Sequence, residues 1–307
     1  MELLMRASRA ARDAREDLAA IKILAVYLAI SSVPAIISWA SGRGPVAMAA
    51  LHVAAFAVAA SVAMTSRPRV VADWLPLVAI PFLYAELPRI SVGRLHDDVV
   101  QHWERATFGI SPAQSAAAHW PYALLSEALH AAYLSYYLII YGPPIVLYLR
   151  GRLEDFRATV AGLMAMFAIC YVVFILFPVA GPRYEWGPPA GVVDGPVRRL
   201  VLRVLAAGSS RGTAFPSSHV AVATVQTILA FRWSARTGLL LCALTSCLGV
   251  GAVYGGFHYA IDVLAGAFLG VTVGFALLRE HRVVVAGPLP WVAATIQNVD
   301  ESAGDLK

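Results

Sequence analysis

Eight apolar stretches set the folds open to this chain. They run roughly Ile21–Ala40, Pro45–Met64, Val70–Leu87, Tyr122–Leu149, Ala158–Val179, Thr213–Trp233, Leu239–Tyr254 and Tyr259–Leu278. A helix needs about 20 mostly apolar residues to cross a bilayer. With 59% hydrophobic and only 14% charged residues, a water-soluble domain of this length could not bury its apolar surface. The alternating ten-residue pattern of a membrane β-barrel is not seen. The expectation is an all-α, polytopic transmembrane helical bundle of about eight spans, with the fourth kinked at Pro143-Pro144.

The arginines order these spans across the membrane. Arg6, Arg9, Arg12 and Arg15 precede the first, Arg67 and Arg69 follow the second, and Arg150, Arg152 and Arg157 follow the fourth. Arg232 and Arg236 follow the sixth, and Arg279 and Arg282 the eighth. With eight crossings all five sets fall on one side, so both termini are expected in the cytoplasm of a bacterial inner-membrane protein. The expected divisions are a tail over 1–20, two additional spans over 21–69, a six-span catalytic core over 70–278 and a tail over 279–307. Ile21–Ala40 is too long for the core of a signal peptide, so cleavage near "SWASG" is not expected. The formal charge of +5 carries no basic cluster interleaved with aromatics, and nucleic acid is not an expected partner. Cys170, Cys242 and Cys247 lie in apolar runs without metal-ligand spacing and read as small apolar residues.

Two outer segments break the apolar pattern. Pro88–Pro121 contains "RLHDDVVQHWERATFGISP" and reads as a surface helix, with His96, His102 and His119 solvated. Ala180–Gly212 carries Arg183, Arg198, Arg199, Arg203 and Arg211 against the positive-inside rule. "VRRLVLRVL" accounts for three of these as an interfacial amphipathic helix whose arginines meet lipid phosphates. A bound anion is the other reason to place arginine there.

Ionisable groups within membrane sequence are costly and usually functional. "TAFPSSHVAVA" places His219 at the start of the sixth span, and "VYGGFHYAIDVLAG" places His258 and Asp262 at the start of the eighth. Four residues apart, His258 and Asp262 can share a helical face, where the carboxylate can hold Nδ1–H and leave Nε2 free as a nucleophile. Topology brings His219 to the same membrane face. Two imidazoles and a carboxylate suit phosphoryl transfer, one ring attacking phosphorus and the other exchanging protons with the leaving and accepting oxygens. Pro216 suits a first helical turn, which would leave the amides of Ser217 and Ser218 to bind an anion. A serine–histidine hydrolase is disfavoured because adjacent residues on a helix point apart. A lone histidine of this kind is more often an interhelical hydrogen-bonding group, but a second histidine with its own carboxylate weighs against that.

"FPSSH" followed by "HYAIDVLAG" resembles the second and third signature motifs of the type 2 phosphatidic acid phosphatase superfamily. The resemblance implies a phosphohistidine mechanism without metal or other cofactor, with His258 as nucleophile, Asp262 as its orienter and His219 as general acid. The family's first motif, a lysine and six spacers before Arg-Pro, is incomplete. Arg183 follows its proline, and Leu176 stands in the lysine's place. The Ser-Arg that usually precedes the third-motif histidine is Gly251-Ala252. Arg183, Arg211, Ser217 and Ser218 are left as candidate phosphate-binding residues. The cation-poor third motif, "ERATFGISP" and "LSEALHAAYLSYY" look like the branch with inositol phosphorylceramide synthase. That likeness implies a phospholipid donor and a lipid alcohol acceptor, with water as acceptor in the alternative, a lipid phosphate phosphatase. Glu127 and His130, three apart, are candidates for a headgroup pocket, while Glu86 is similar and His52 reads as packing. A transporter or scaffold is the reading from another class, although no pair of related halves is evident.

Overall fold

The computed structural model describes residues 18–64, 69–91 and 93–286. Arg6, Arg9, Arg12, Arg15, Arg67, the side chains of Arg69 and Arg282, and the tail from 287 lie outside the described residues.

The spans form the expected helical bundle. Helices α1 (Ala19–Ala40), α2 (Val46–Met64), α3 (Arg69–Ile90), α8 (Leu153–Leu176), α12 (Ala235–Tyr254) and α13 (Ala260–Ala286) are long and apolar enough to cross a membrane. Between α3 and α8 come α4 (Asp97–Phe108), α5 (Pro112–His119), α6 (Ala123–Leu134) and α7 (Tyr136–Leu149). Between α8 and α12 come α9 (Pro182–Glu185), α10 (Pro196–Gly208) and α11 (Ser218–Ala230). The protein is an integral membrane protein of helical-bundle type.

Two spans differ from expectation. The fourth is a pair, α6 and α7, bent by 41° at Ser135, and α7 continues through Pro143 and Pro144. Packing places the bend: Tyr133 and Tyr136, on either side of it, both lie against the His219 ring, with centroids at 5.2 and 4.1 Å. The sixth shortens to the 13 residues of α11. At about 1.5 Å per residue such a helix cannot cross a bilayer alone. The non-helical residues before it, Thr213, Ala214, Pro216 and Ser217, are buried, which is where irregular backbone is tolerated at membrane depth.

Helix α11 is the centre of the bundle, packed against α13, α12, α8 and α7. Along α13, Gly266 and Gly270 face its backbone, and an added Cβ would lie 2.4 Å from the Ser217 carbonyl and 2.5 Å from that of Ala221. This close approach brings the His258–Asp262 segment alongside His219.

Helices α1 and α2 pack on each other, and α1 also lies against α3 and α8. His52 does more than pack. It is buried, with Nε2 2.7 Å from Ser31 Oγ on α1 and Nδ1 3.1 Å from Glu86 Oε1 on α3. One ring therefore ties three helices together. Cys170 is buried, whereas Cys242 and Cys247 face outward from α12. Replacing His52 by Leu should cost about 1–2 kcal/mol. It should lower the thermal midpoint in detergent, and adding Glu86→Gln should recover part of the loss. An unchanged midpoint in His52→Leu would contradict the role of this contact.

Candidate active site

His258 lies in the turn between α12 and α13. The sequence suggested that His258 and Asp262 share a helical face, but α13 begins only at Ala260. The contact arises from a helix cap: Asp262 Oδ2, in the first turn, accepts from the Tyr259 amide at 2.8 Å. That carboxylate oxygen is also 3.4 Å from His258 Nδ1. A closer partner is the main-chain carbonyl of Ala214, 3.0 Å from the same nitrogen. Both partners are acceptors, so the ring carries its proton on Nδ1 and keeps a lone pair on Nε2. The imidazole is 4% exposed and Asp262 fully buried, so the tautomer is protected from exchange with bulk water.

The second histidine motif opens differently from expectation. Ser217 is the N-cap of α11, its hydroxyl facing the Val220 amide at 3.5 Å, so Pro216 stands before the helix rather than in its first turn. The Ser217 amide is not free for an anion, because it donates to the Asp262 carbonyl at 3.0 Å. The amides of Ser218 and His219 have no hydrogen-bond partner among the described residues. The His219 and His258 rings meet edge-on with centroids 5.5 Å apart. His219 Nε2 is 3.3 Å from the Tyr133 hydroxyl, while Nδ1 is buried with no protein partner. A tyrosine hydroxyl can donate to a neutral ring or accept from a protonated one, so this contact serves either state.

Both rings line a cavity with Tyr84, Tyr133, Arg183, Tyr184, Ser210 and Thr213. Arg183, on the short α9, has Nη1 buried without a protein partner. Tyr84 reaches in from α3, its hydroxyl 2.8 Å from Thr213 Oγ1 and accepting from the Ser210 amide at 3.3 Å. Tyr133 and Thr213 lie inside the quoted motifs without having been singled out, and Tyr84 had no marker in the sequence. Arg211 is exposed, pairs with Glu185 at 3.6 Å and does not line the cavity. Leu176 is 63% exposed at the end of α8. At Gly251 an added Cβ would lie 2.4 Å from the Leu129 carbonyl, so α6 occupies the space a longer residue would need.

Glu127 and His130 sit behind the wall rather than in it. The Glu127 carboxylate accepts from the amides of Val197 at 2.8 Å and Arg198 at 3.1 Å, at the N-terminus of α10. His130 Nδ1 is 2.6 Å from the Ser126 carbonyl, with its ring edge-on to Phe257. On α10, Arg199 and Arg203 are exposed as an interfacial helix requires, while Arg198 is buried and paired with Asp194. His102 and His119 are exposed, but His96 stacks on Phe177 at 4.3 Å.

A profile of the PAP2 superfamily matches residues 100–277, more than half of the chain. The chain belongs to the PAP2 superfamily. It is also similar to the bacitracin transport permease protein BcrC of Bacillus licheniformis, 29% identical over 154 residues, which is 49% of this chain and 68% of the relative. No solved structure matches it. The PAP2 match takes in both histidine segments and Arg183, but not Tyr84.

Gly251→Ala should press a methyl group onto fixed backbone and cost about 1–3 kcal/mol. Gly208→Ala, with nothing within 4 Å, serves as the neutral control. The thermal midpoints of the two variants check this; equal midpoints would contradict the close contact between α6 and α12.

Proposed function

We propose that this protein transfers a phosphoryl headgroup from a phospholipid to a lipid hydroxyl through a covalent phosphohistidine on His258. The observation that carries the reading is the pair of acceptors on His258 Nδ1, Ala214 O and Asp262 Oδ2, which leaves Nε2 as the nucleophilic atom. In the first step Nε2 bonds to phosphorus, the bond from phosphorus to the leaving lipid oxygen breaks, and His219 supplies that oxygen with a proton. The positive charge gained by the His258 ring is stabilised by Asp262. In the second step His219 takes the proton of the acceptor hydroxyl, whose oxygen attacks phosphorus as the P–N bond breaks. His219 Nδ1, with no protein partner, is the atom available for both proton movements, while Tyr133 holds the other side of the ring. Arg183 Nη1 is available to a phosphoryl oxygen.

The charge of the cavity supports a diester donor. Among the described residues, Arg183 is the only guanidinium that lines it. A phosphate monoester carries about −1.5 to −2 at neutral pH. A diester carries a single charge, and each charge removed from water needs compensation. Hydrolysis with water as acceptor is the second reading, favoured by the small cavity volume of about 30 Å³ beside the histidines. Transport, the activity in the name of the similar Bacillus protein, would need no nucleophile. The arginine distribution supports a site at the outer face of a bacterial inner membrane, with both termini cytoplasmic. The two additional spans over 21–69 would then be an accessory to a core over 70–278.

Purified protein in detergent, given a panel of phospholipids with and without ceramide or diacylglycerol, should form a new phosphodiester lipid only when the acceptor is present. His258→Ala should abolish turnover. Free phosphate released from monoester lipids without acceptor would instead make the protein a phosphatase. Equal turnover in His258→Ala would overturn both readings.

A further inference from the structure

The surface helix α4 turns two carboxylates inward, seven residues apart and so on one helical face. Glu104 is buried, accepts from the Ile261 amide at 3.0 Å and from Ser111 Oγ at 2.9 Å, and thereby holds the first turn of α13. Its burial pushes the carboxyl above the usual range, while those hydrogen bonds pull the other way. Asp97 reaches further into the site. It is 5% exposed, and its Oδ2 accepts from the Ala180 amide at 2.8 Å. Its Oδ1 accepts from the Gly181 amide at 2.8 Å and from the Tyr259 hydroxyl at 3.1 Å.

These three donors belong to the two segments that must be kept in register. Ala180 and Gly181 lead into α9, which carries Arg183, and Tyr259 follows His258 directly. Gly181 has a φ of +92°, and an added Cβ there would lie 2.9 Å from the Ala214 side chain. The same stretch is joined to the His219 motif, since Val179 accepts from the Ala214 amide at 2.9 Å and donates to Gly212 at 3.2 Å. Ala214 is the residue whose carbonyl faces His258 Nδ1. One carboxylate thus fixes the cation's segment, the segment that selects the tautomer and the residue beside the nucleophile.

We propose that Asp97 is a positioning residue, holding Arg183 at the distance from His258 that phosphoryl transfer needs without itself touching substrate. The proposal rests on the phosphoryl-transfer reading for its kinetic consequence. Only a carboxylate can accept on both oxygens. An asparagine must present its NH₂ to one of the two backbone amides, releasing that side of the clamp. A misplacement of about 1 Å at such a site can cost on the order of 100-fold in rate.

The test compares wild type, Asp97→Asn, Tyr259→Phe, Arg183→Gln and the Asp97→Asn/Arg183→Gln double variant, all as full-length protein in detergent. Kinetics are read beside hydrogen exchange over residues 180–186. Asp97→Asn should lower kcat by about 10–100-fold. In the Arg183→Gln background the same change should add less than about threefold, because coupled losses do not multiply. Exchange over 180–186 should rise while peptides of α8 stay protected. Full multiplication of the two losses, or wild-type kcat in a folded Asp97→Asn, would overturn the proposal. If Asp97→Asn does not fold, Tyr259→Phe decides: a few-fold loss of kcat supports the link, and wild-type kcat overturns it. Should wild type turn over no phospholipid, the transfer reading fails. Exchange over 180–186 in Asp97→Asn then decides the clamp alone, with unchanged protection overturning it.

Discussion

A main-chain carbonyl, that of Ala214, is the acceptor on which the arrangement at the site depends. It lies closer to His258 Nδ1 than the Asp262 carboxylate does, 3.0 against 3.4 Å, and the two acceptors together fix the tautomer. The carbonyl can reach His258 only because the chain before α11 is not helical. The Ala214 amide is bonded back to Val179 O, and the Ser217 amide to Asp262 O. Extending α11 by one turn would satisfy more backbone within the helix and would remove this acceptor. The short helix, the buried irregular segment and the glycine face of α13 are all consequences of placing a carbonyl against an imidazole at membrane depth.

Burial of polar groups also explains what could be seen in the sequence. The spans were legible because apolar runs of membrane length have few other uses, and His219, His258 and Asp262 stood out because charge within such runs is costly. Membership of the PAP2 superfamily followed from the same residues. Ala214 was not legible, since every residue has a carbonyl and its direction is set by tertiary contacts. Pro143 and Pro144 drew the expected kink, yet the bend falls at Ser135, where two tyrosines close on His219. Asp97 and Glu104 read as the polar face of a surface helix, although both point into the protein. The sequence gives spacing along a helix but not which side of an amphipathic helix meets buried backbone.

Packing is tight where the resembled motif has Ser-Arg. α6 presses its backbone against Gly251, at the serine's place, and Ala252, at the arginine's place, is fully buried. In return, α6 delivers Tyr133 to His219. The described lining of the cavity carries hydroxyls from Tyr84, Tyr133, Tyr184 and Thr213 and one guanidinium, that of Arg183. Hydroxyls stabilise an anion less than guanidinium groups do, which suits a donor of lower charge.

The central claim is that His258 Nε2 becomes bonded to phosphorus. Wild type and His219→Ala, given radiolabelled phospholipid and quenched within a turnover in alkaline detergent, should retain label that is stable to base and released by acid. Peptide mass spectrometry should place it on His258, with more accumulating in His219→Ala when release of the covalent intermediate is the slower step. Label on a serine, or turnover of phospholipid with no label on His258 in either protein, would contradict the account.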